Sequence, residues 1–155
     1  MRILVDADAC PVKEQIYRVA ERYNLPVLVV ANSVLKVPAQ AGVEFIHVPG
    51  GLDIADDWIA EATEAGDIVT TADLPLAGRV VDKGAICIDF RGKEFTPDSL
   101  GGILASRDIA TYMRGFGAFT GGPPPLNPRD RGKFAGKLDE VVNRQLRARR
   151  GTGLP

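Results

Sequence analysis

The stretch Met1-Arg-Ile-Leu-Val-Asp-Ala-Asp-Ala-Cys-Pro11 decides the fold that we expect for this chain. Its apolar run, residues 3–5, is too short for a core helix and is typical of a buried strand. Pro11 suits the first turn of a helix, where a missing backbone N–H costs nothing. Asp6 and Asp8 therefore lie where a strand ends and a helix begins. In open α/β sheets, this C-terminal edge of the strands is where ligands bind.

Apolar runs and helical repeats alternate through the first two thirds of the chain. Further strands are expected at residues 27–31, 43–48, 67–73 and 85–90, with helices after the first, third and fourth strands. This alternation implies parallel pairing, right-handed crossovers and a three-layer α/β sandwich with a mainly parallel central sheet. The length favours a single domain, residues 1–150, with a frayed tail at 151–155.

Local signals predict where the helices begin and end. Asp53 is expected to N-cap a helix, with Asp56 three residues further on in a box-like arrangement, and Gly66 is well placed to stop that helix. Thr96 is expected to N-cap a later helix, with Pro97 at its first position, that reaches about residue 114. A Gly- and Pro-rich loop (115–128) and a final amphipathic helix should follow.

Charge is distributed unevenly along the chain. The formal net charge is −1, yet residues 126–150 carry eight Lys/Arg against three Asp/Glu, while the remainder carries eleven against seventeen. An acidic body with a basic C-terminal segment fits a metal site beside an anion-binding arm, and it fits a solvated helix face equally well.

The two cysteines, Cys10 and Cys87, form no disulfide framework, and a reducing cytosol is the simpler setting. Asp6 ends the N-terminal apolar run too early for a signal peptide, and no segment has the length of a membrane span. We therefore expect a cytoplasmic protein. A helix start can lower a thiol pKa, but Cys10 has no histidine nearby in sequence, so we interpret it as a neighbour of the helix cap.

Six carboxylates fall near strand ends and helix starts, and they are the residues that suggest chemistry. They are Asp6, Asp8, Asp53, Asp56, Asp57 and Asp73. Carboxylates at such an edge suit Mg²⁺ or Mn²⁺, ions that neutralise a phosphate and activate water for phosphodiester hydrolysis. Zinc has no ligand set here, because His47 is the only histidine.

Each of these carboxylates also has a purely structural interpretation. Asp53 and Asp56 can cap a helix, and both are kept as helix-cap or supporting residues. Asp8 can bind backbone N–H groups in a turn, and Asp73 can be an ordinary turn residue. Asp6 is the hardest to dismiss, because an apolar strand leads directly into it.

Four motifs in order resemble the YaiI/YqxD family of bacterial proteins. They are Val5-Asp-Ala-Asp-Ala-Cys-Pro-Val-Lys13, Gly51-Leu-Asp-Ile-Ala-Asp56, Thr71-Ala-Asp-Leu-Pro-Leu-Ala77 and Thr120-Gly-Gly-Pro-Pro-Pro125. That family resembles the PIN-like nucleases, which carry acidic residues at the C-terminal sheet edge. The resemblance implies a metal-dependent nuclease acting on RNA, with Asp6, Asp57 and Asp73 at the metal. Asp8 would assist, and Asp56 competes with Asp57 for the helix position.

Four basic residues are candidate substrate contacts. Lys13 lies in the first helical turn and can reach a phosphate near Asp8, although a plain surface lysine is an equal alternative. Arg129, Arg131 and Lys133 can clamp a nucleic-acid backbone over the acidic edge. Asp130, between them, can instead pair with an arginine or cap the last helix.

Two other functions remain open at this point. In a haloacid-dehalogenase-type phosphatase, Asp6 would be the nucleophile and Asp8 the general acid, but Cys10 stands where such proteins usually have Thr. A non-catalytic RNA- or nucleotide-binding module would keep the acidic edge for a structural ion. The basic C-terminal segment alone does not separate the module from the nuclease.

Overall fold

A computed structural model describes residues 1–105 and 126–151 of the chain. The strands are β1 (Ile3–Asp6), β2 (Val27–Ala31), β3 (Val43–His47), β4 (Ile68–Thr70), β5 (Ile86–Ile88) and β6 (Glu94–Phe95). The helices are α1 (Lys13–Tyr23), α2 (Leu52–Ala62), α3 (Leu74–Asp82), α4 (Pro97–Ala105) and α5 (Pro128–Gly151).

The six strands form one sheet in the order β3-β2-β1-β4-β5-β6. All neighbouring pairs are parallel except β5 and β6, which are antiparallel. The chain adds β2 and β3 on one side of β1 and then crosses to add β4 on the other side. The ends of β1 and β4 therefore flank a topological switch point, where open α/β sheets bind their ligands. The expected mainly parallel sheet is confirmed, whereas the short strand β6 was missed.

Helices cover both faces of the sheet and make three layers. Ile3 and Val5 of β1 pack in one core with α1 and α5, whereas Leu4 points to the other face and packs with α2, α3 and α4. Side chains alternate between faces along a strand, so a strand covered on both sides is apolar throughout. This explains why the central strands are continuous apolar runs, and it confirms the three-layer α/β sandwich.

Helix α5 runs from the C-terminal edge of the sheet to its N-terminal edge. Near its start, Arg131 donates a hydrogen bond to the carbonyl of Pro11 (3.0 Å), in the turn between β1 and α1. Near its end, Gln145 donates to the carbonyl of Gly66 (3.1 Å), directly before β4. A reciprocal cap between Asn127 and Asp130 fixes the start of the helix. The basic start of α5 is thus held at the edge where the strands end.

The structure corrects both predicted ends of α2. The helix begins at Leu52 after Gly51, without a side-chain cap, so the prediction of Asp53 as N-cap is wrong. It ends at Ala62, because Thr63 has an extended backbone and donates its hydroxyl to the carbonyl of Ile59 (2.6 Å). Gly66 therefore lies in the turn beyond the helix, where its φ of 88° suits glycine.

The predicted start of α4 is confirmed, since the hydroxyl of Thr96 accepts a hydrogen bond from the backbone N–H of Ser99 (3.1 Å). The predicted extension of α4 to residue 114, the Thr120–Pro125 motif and all but the end of the Gly- and Pro-rich loop lie outside the described residues. Gly151 is still helical, so it does not belong to the predicted frayed tail, and the other residues of that prediction, 152–155, lie outside the described residues. Within the described segments, every helix is too short or too polar to cross a lipid bilayer.

Candidate functional site

The hydroxyl of Thr71 links Asp6 to Asp73 at the switch point. Asp6 is the last residue of β1, and its Oδ2 accepts a hydrogen bond from Oγ1 of Thr71 (2.7 Å). The same Oγ1 accepts a hydrogen bond from the backbone N–H of Asp73 (3.0 Å). Thr71 is fully buried just beyond β4, so it joins the ends of the two central strands. The two aspartates are 67 positions apart in sequence, and the parallel sheet brings them to one edge.

Asp73 has a structural role in addition to its place in the site. It is the N-cap of α3, and its Oδ1 accepts a hydrogen bond from the backbone N–H of Leu76 (2.8 Å). This cap uses one carboxylate oxygen and leaves Oδ2 without a protein partner among the described residues. The turn interpretation and the ligand interpretation of this residue are therefore compatible.

Asp56, rather than Asp57, faces this pair of carboxylates. Asp57 is exposed and forms an ion pair with Arg79 (2.6 Å). Asp56 is partly buried, makes no hydrogen bond to the described part of the chain, and lies within electrostatic range of Asp73 and Asp6. The structure thus favours Asp56 in the helix position that the resemblance assigned to Asp57.

Burial and mutual repulsion both oppose ionisation at this edge. Burial raises the pKa of Asp6, the hydroxyl of Thr71 partly offsets the rise, and the charges of Asp73 and Asp8 add to it. Burial, followed by repulsion from Asp73 and Asp6, raises the pKa of Asp56 to about 7. A bound cation would reverse the repulsion, and perturbed carboxylates in a cleft are a mark of functional sites.

A crevice of about 210 Å³ opens beside these carboxylates. Asp53, Asp56, Asp57 and Asp73 contribute to its walls, and Arg79 is a positive residue on its rim that is already paired with Asp57. Asp6 lies next to the crevice at the end of β1 and outside its lining.

Asp8 does not point its carboxylate into the crevice. Both of its oxygens accept hydrogen bonds from the segment after β2: Oδ2 from the backbone N–H of Asn32 (2.8 Å), and Oδ1 from the hydroxyl of Ser33 (2.7 Å) and its backbone N–H (3.2 Å). Burial alone would raise the pKa of Asp8, but these hydrogen bonds outweigh it and the pKa is lowered. Asp8 thus binds backbone N–H groups, as its structural interpretation expected, but they belong to the distant segment after β2 and not to its own turn.

The candidate cations occupy the same edge but not the crevice. Lys13 donates to the carbonyls of Ala7 (3.0 Å) and Cys10 (3.2 Å), so it closes the turn between β1 and α1. Arg129 and Lys133 are exposed on the first turns of α5. The alternatives for Asp130 are both confirmed, because it caps α5 and also pairs with Arg91 (3.8 Å).

The thiol pKa of Cys10 is not lowered, in agreement with its interpretation as a neighbour of the helix cap. Its side chain is buried, and burial raises the pKa of the thiol to about 12. A helix start lowers a thiol pKa only when the sulfur is solvated beside it. Cys87 is buried in β5, as expected for a core residue, and His47 contacts the backbone carbonyl of Asn32 (2.8 Å) in a structural role.

The carboxylates of Asp6, Asp56 and Asp73 fit a divalent ion that keeps most of its water better than an ion enclosed by protein ligands. Among residues 1–105 and 126–151, no three Asp, Glu, His or Cys side chains come together closely enough to enclose a metal. Asp6 and Asp73 each have one carboxylate oxygen, and Asp56 has two, that accept no hydrogen bond from the described residues. Mg²⁺ needs few direct protein ligands and keeps several waters, so these oxygens suffice for a water-rich site.

The sequence analysis assigned no role to two residues at this edge of the sheet. Thr71 was quoted in a motif but given no role, although it holds Asp6 and Asp73 together. Asn32 was overlooked, although it is the first residue after β2. The signal for both was available, because polar residues directly after apolar parallel strands collect at one edge.

Fold and site together define a doubly wound α/β protein with an acidic crevice at the switch point of its sheet. The chain belongs to the family described as "Uncharacterized BCR, YaiI/YqxD family", whose model matches residues 4–144. A UPF0178 protein of Rhodopseudomonas palustris strain HaA2 is 52% identical over 148 residues, covering 96% of this chain and 90% of its own. A UPF0178 protein of Brucella ovis is 52% identical over 147 residues, covering 94% and 91%. No solved structure gives a significant match.

Proposed function

We propose that this protein is a metal-dependent nuclease that hydrolyses RNA phosphodiester bonds at the acidic crevice. One observation carries the proposal: Asp6 and Asp73, from two strands flanking the switch point, share the hydroxyl of Thr71, and Asp56 adds a third negative charge beside them. Uncompensated carboxylates at a ligand-binding edge are best explained by a cation that binds there.

Asp6, Asp56 and Asp73 would hold Mg²⁺ or Mn²⁺. When bound, such an ion neutralises the phosphate and makes a water nucleophilic near neutral pH. Thr71 fixes the orientation of the Asp6 carboxylate and, through the N–H of Asp73, the start of α3. Asp8 positions the segment after β2, so its contribution is indirect. Asp53 and Asp57 add negative charge to the crevice wall.

The basic start of α5 supports a polyanionic substrate. Arg131 anchors this helix beside Pro11 at the end of β1, which leaves Arg129 and Lys133 exposed at the same edge of the sheet. Cations in such a place attract a phosphate backbone without reading its sequence. RNA as the substrate follows from the resemblance to PIN-like nucleases.

One feature of the geometry disfavours the phosphatase alternative. A general acid must carry a proton that it can release near neutral pH, whereas the hydrogen bonds from Asn32 and Ser33 stabilise the ionised form of Asp8 and lower its pKa.

The test is cleavage of single-stranded and double-stranded RNA, and of DNA of the same sequence, with Mg²⁺, Mn²⁺ or EDTA. The compared proteins are the native chain, Asp6→Asn and Asp82→Asn. Asp82 is an exposed carboxylate at the far end of α3, and it controls for the loss of one negative charge. We expect Mn²⁺-dependent RNA cleavage that Asp6→Asn abolishes and Asp82→Asn retains.

Two outcomes contradict the proposal. Cleavage that persists in EDTA and in a contaminant-free sample of Asp6→Asn would place the activity elsewhere. Metal-independent RNA binding without turnover on any of these substrates would favour the binding module instead. Weaker RNA binding at higher salt is expected in either case, because the cations of α5 contact phosphates.

A further inference from the structure

Helix α2 carries Asp56, yet it begins without a cap of its own. Its N-cap is Gly51, which has no side chain to accept a hydrogen bond from the first turn. Gly50 and Gly51 both have positive φ (115° and 117°), so the connection into the helix is made of two residues with unusual backbone freedom. Something outside the helix must hold its start in place.

The side chain of Asn32 provides that hold. Its Oδ1 accepts a hydrogen bond from the backbone N–H of Gly51 (3.1 Å). Its Nδ2 donates to Oδ2 of Asp8 (3.3 Å), which already accepts from the backbone N–H of Asn32 (2.8 Å). The carbonyl of Asn32 lies 2.8 Å from Nε2 of His47, at the end of β3. One residue thus connects the ends of three neighbouring strands to the start of α2.

We propose that Asn32 is a positioning residue that holds the start of α2, and with it Asp56, over the acidic crevice. Without its side chain, the Gly50–Gly51 connection would let the first turn of α2 move away from the end of β2. The backbone groups of Asn32 would still bind Asp8 and His47, so the loss would be confined to the link with Gly51 and to the longer amide contact with Asp8 (3.3 Å). The inference rests on the proposed function only for the role given to Asp56.

The test compares Asn32→Ala with Ser33→Ala in the full chain. Ser33→Ala removes a hydroxyl that donates to Asp8 (2.7 Å) but makes no hydrogen bond to the described residues of α2, so it controls for a weakened Asp8 network. Amide hydrogen exchange, followed by mass spectrometry, is measured for a peptide spanning residues 51–58. We expect exchange there to be about five- to ten-fold faster in Asn32→Ala, the effect of one lost hydrogen bond, and unchanged in Ser33→Ala.

A second readout separates positioning from general weakening. If the chain is a nuclease, Asn32→Ala should lower kcat and leave KM unchanged, because the cations of α5 are untouched. If it is not, the exchange result still decides the role of Asn32. Equal exchange at residues 51–58 in the two variants, or no acceleration in Asn32→Ala, overturns the proposal. Should Asn32→Ala fail to fold, Asn32→Ser replaces it with the same expectations, since a serine hydroxyl is too short to span to Gly51.

Discussion

Replacing Thr71 with valine removes the link between the two central aspartates while keeping the shape of the side chain. The hydroxyl of Thr71 donates to Asp6 (2.7 Å) and accepts from the N–H of Asp73 (3.0 Å). Thr71 is fully buried, so water cannot take the place of the hydroxyl. The substitution therefore leaves one carboxylate oxygen without its donor and one backbone N–H without its acceptor.

The structure allows the size of this effect to be worked out. A hydrogen bond to a charged group contributes about 1.5–3 kcal/mol, and a buried polar group left without a partner costs about 1–3 kcal/mol. The two losses share one hydroxyl and do not add fully, so we expect Thr71→Val to lower the free energy of unfolding by about 2–4 kcal/mol.

Urea denaturation of Thr71→Val and Thr70→Val provides the measurement. Thr70, the preceding residue on β4, is equally buried, but its hydroxyl has no hydrogen-bond partner in the described part of the chain. Valine there removes an unsatisfied group, so Thr70→Val should leave stability unchanged or raise it by up to about 1 kcal/mol. If both variants lose the same stability, the link through Thr71 does not exist as described.

Three further substitutions have expected outcomes. Asp56→Asn should weaken Mn²⁺ binding and RNA cleavage by at least about ten-fold. The control Asp57→Asn only releases Arg79 and should leave both unchanged. Isothermal titration measures the binding, and a cleavage assay measures the activity. Burial raises the pKa of Glu94, but two cations of α5 outweigh burial and lower that pKa. The ionised Glu94 therefore stabilises the fold above its unfolded pKa of about 4.3, and this stabilisation is lost as pH falls through the lower pKa of the folded state. In urea titrations from pH 6 to pH 2, the acid loss of stability should be smaller in Glu94→Gln by up to about 1 kcal/mol. Gly92→Ala should destabilise by about 1–2 kcal/mol in thermal or urea unfolding, because φ is 88° and its new Cβ would lie 3.4 Å from the backbone of α5, whereas Gly78→Ala within α3 should stabilise slightly.

The fold could be predicted because its signals are local and repeated. Each apolar run followed by a helical repeat gives one strand and its crossover, and parallel pairing then follows from topology alone. Strand β6 was missed because two residues, Glu94 and Phe95, carry no periodicity. It pairs with β5 because the carboxylate of Asp89 accepts from the backbone N–H groups of Arg91 and Lys93 (2.9 and 2.8 Å), which fixes the turn between the strands.

The sequence predicts those residues of the site whose position is determined by the end of a strand. Asp6 and Asp73 follow apolar strands directly, so the sheet alone brings them to one edge. Asp8 also follows β1, yet the direction of its carboxylate depends on hydrogen bonds from Asn32 and Ser33, which are 24 and 25 positions away. Local sequence carries no information on which of two neighbouring carboxylates will find such distant donors.

The choice between Asp56 and Asp57 shows why a helix start matters for a site. Successive residues point about 100° apart around a helix, so the two carboxylates face different neighbours. The position of the helix start decides which one faces Asp6 and Asp73. With Asp53 as N-cap, the helix would begin two residues later than the observed Leu52. The observed start is set by Gly51 held on Asn32, a contact across 19 residues. The orientation of the acidic crevice is therefore a tertiary property, and the variant that releases Gly51 should disturb Asp56 more than Asp6 or Asp73.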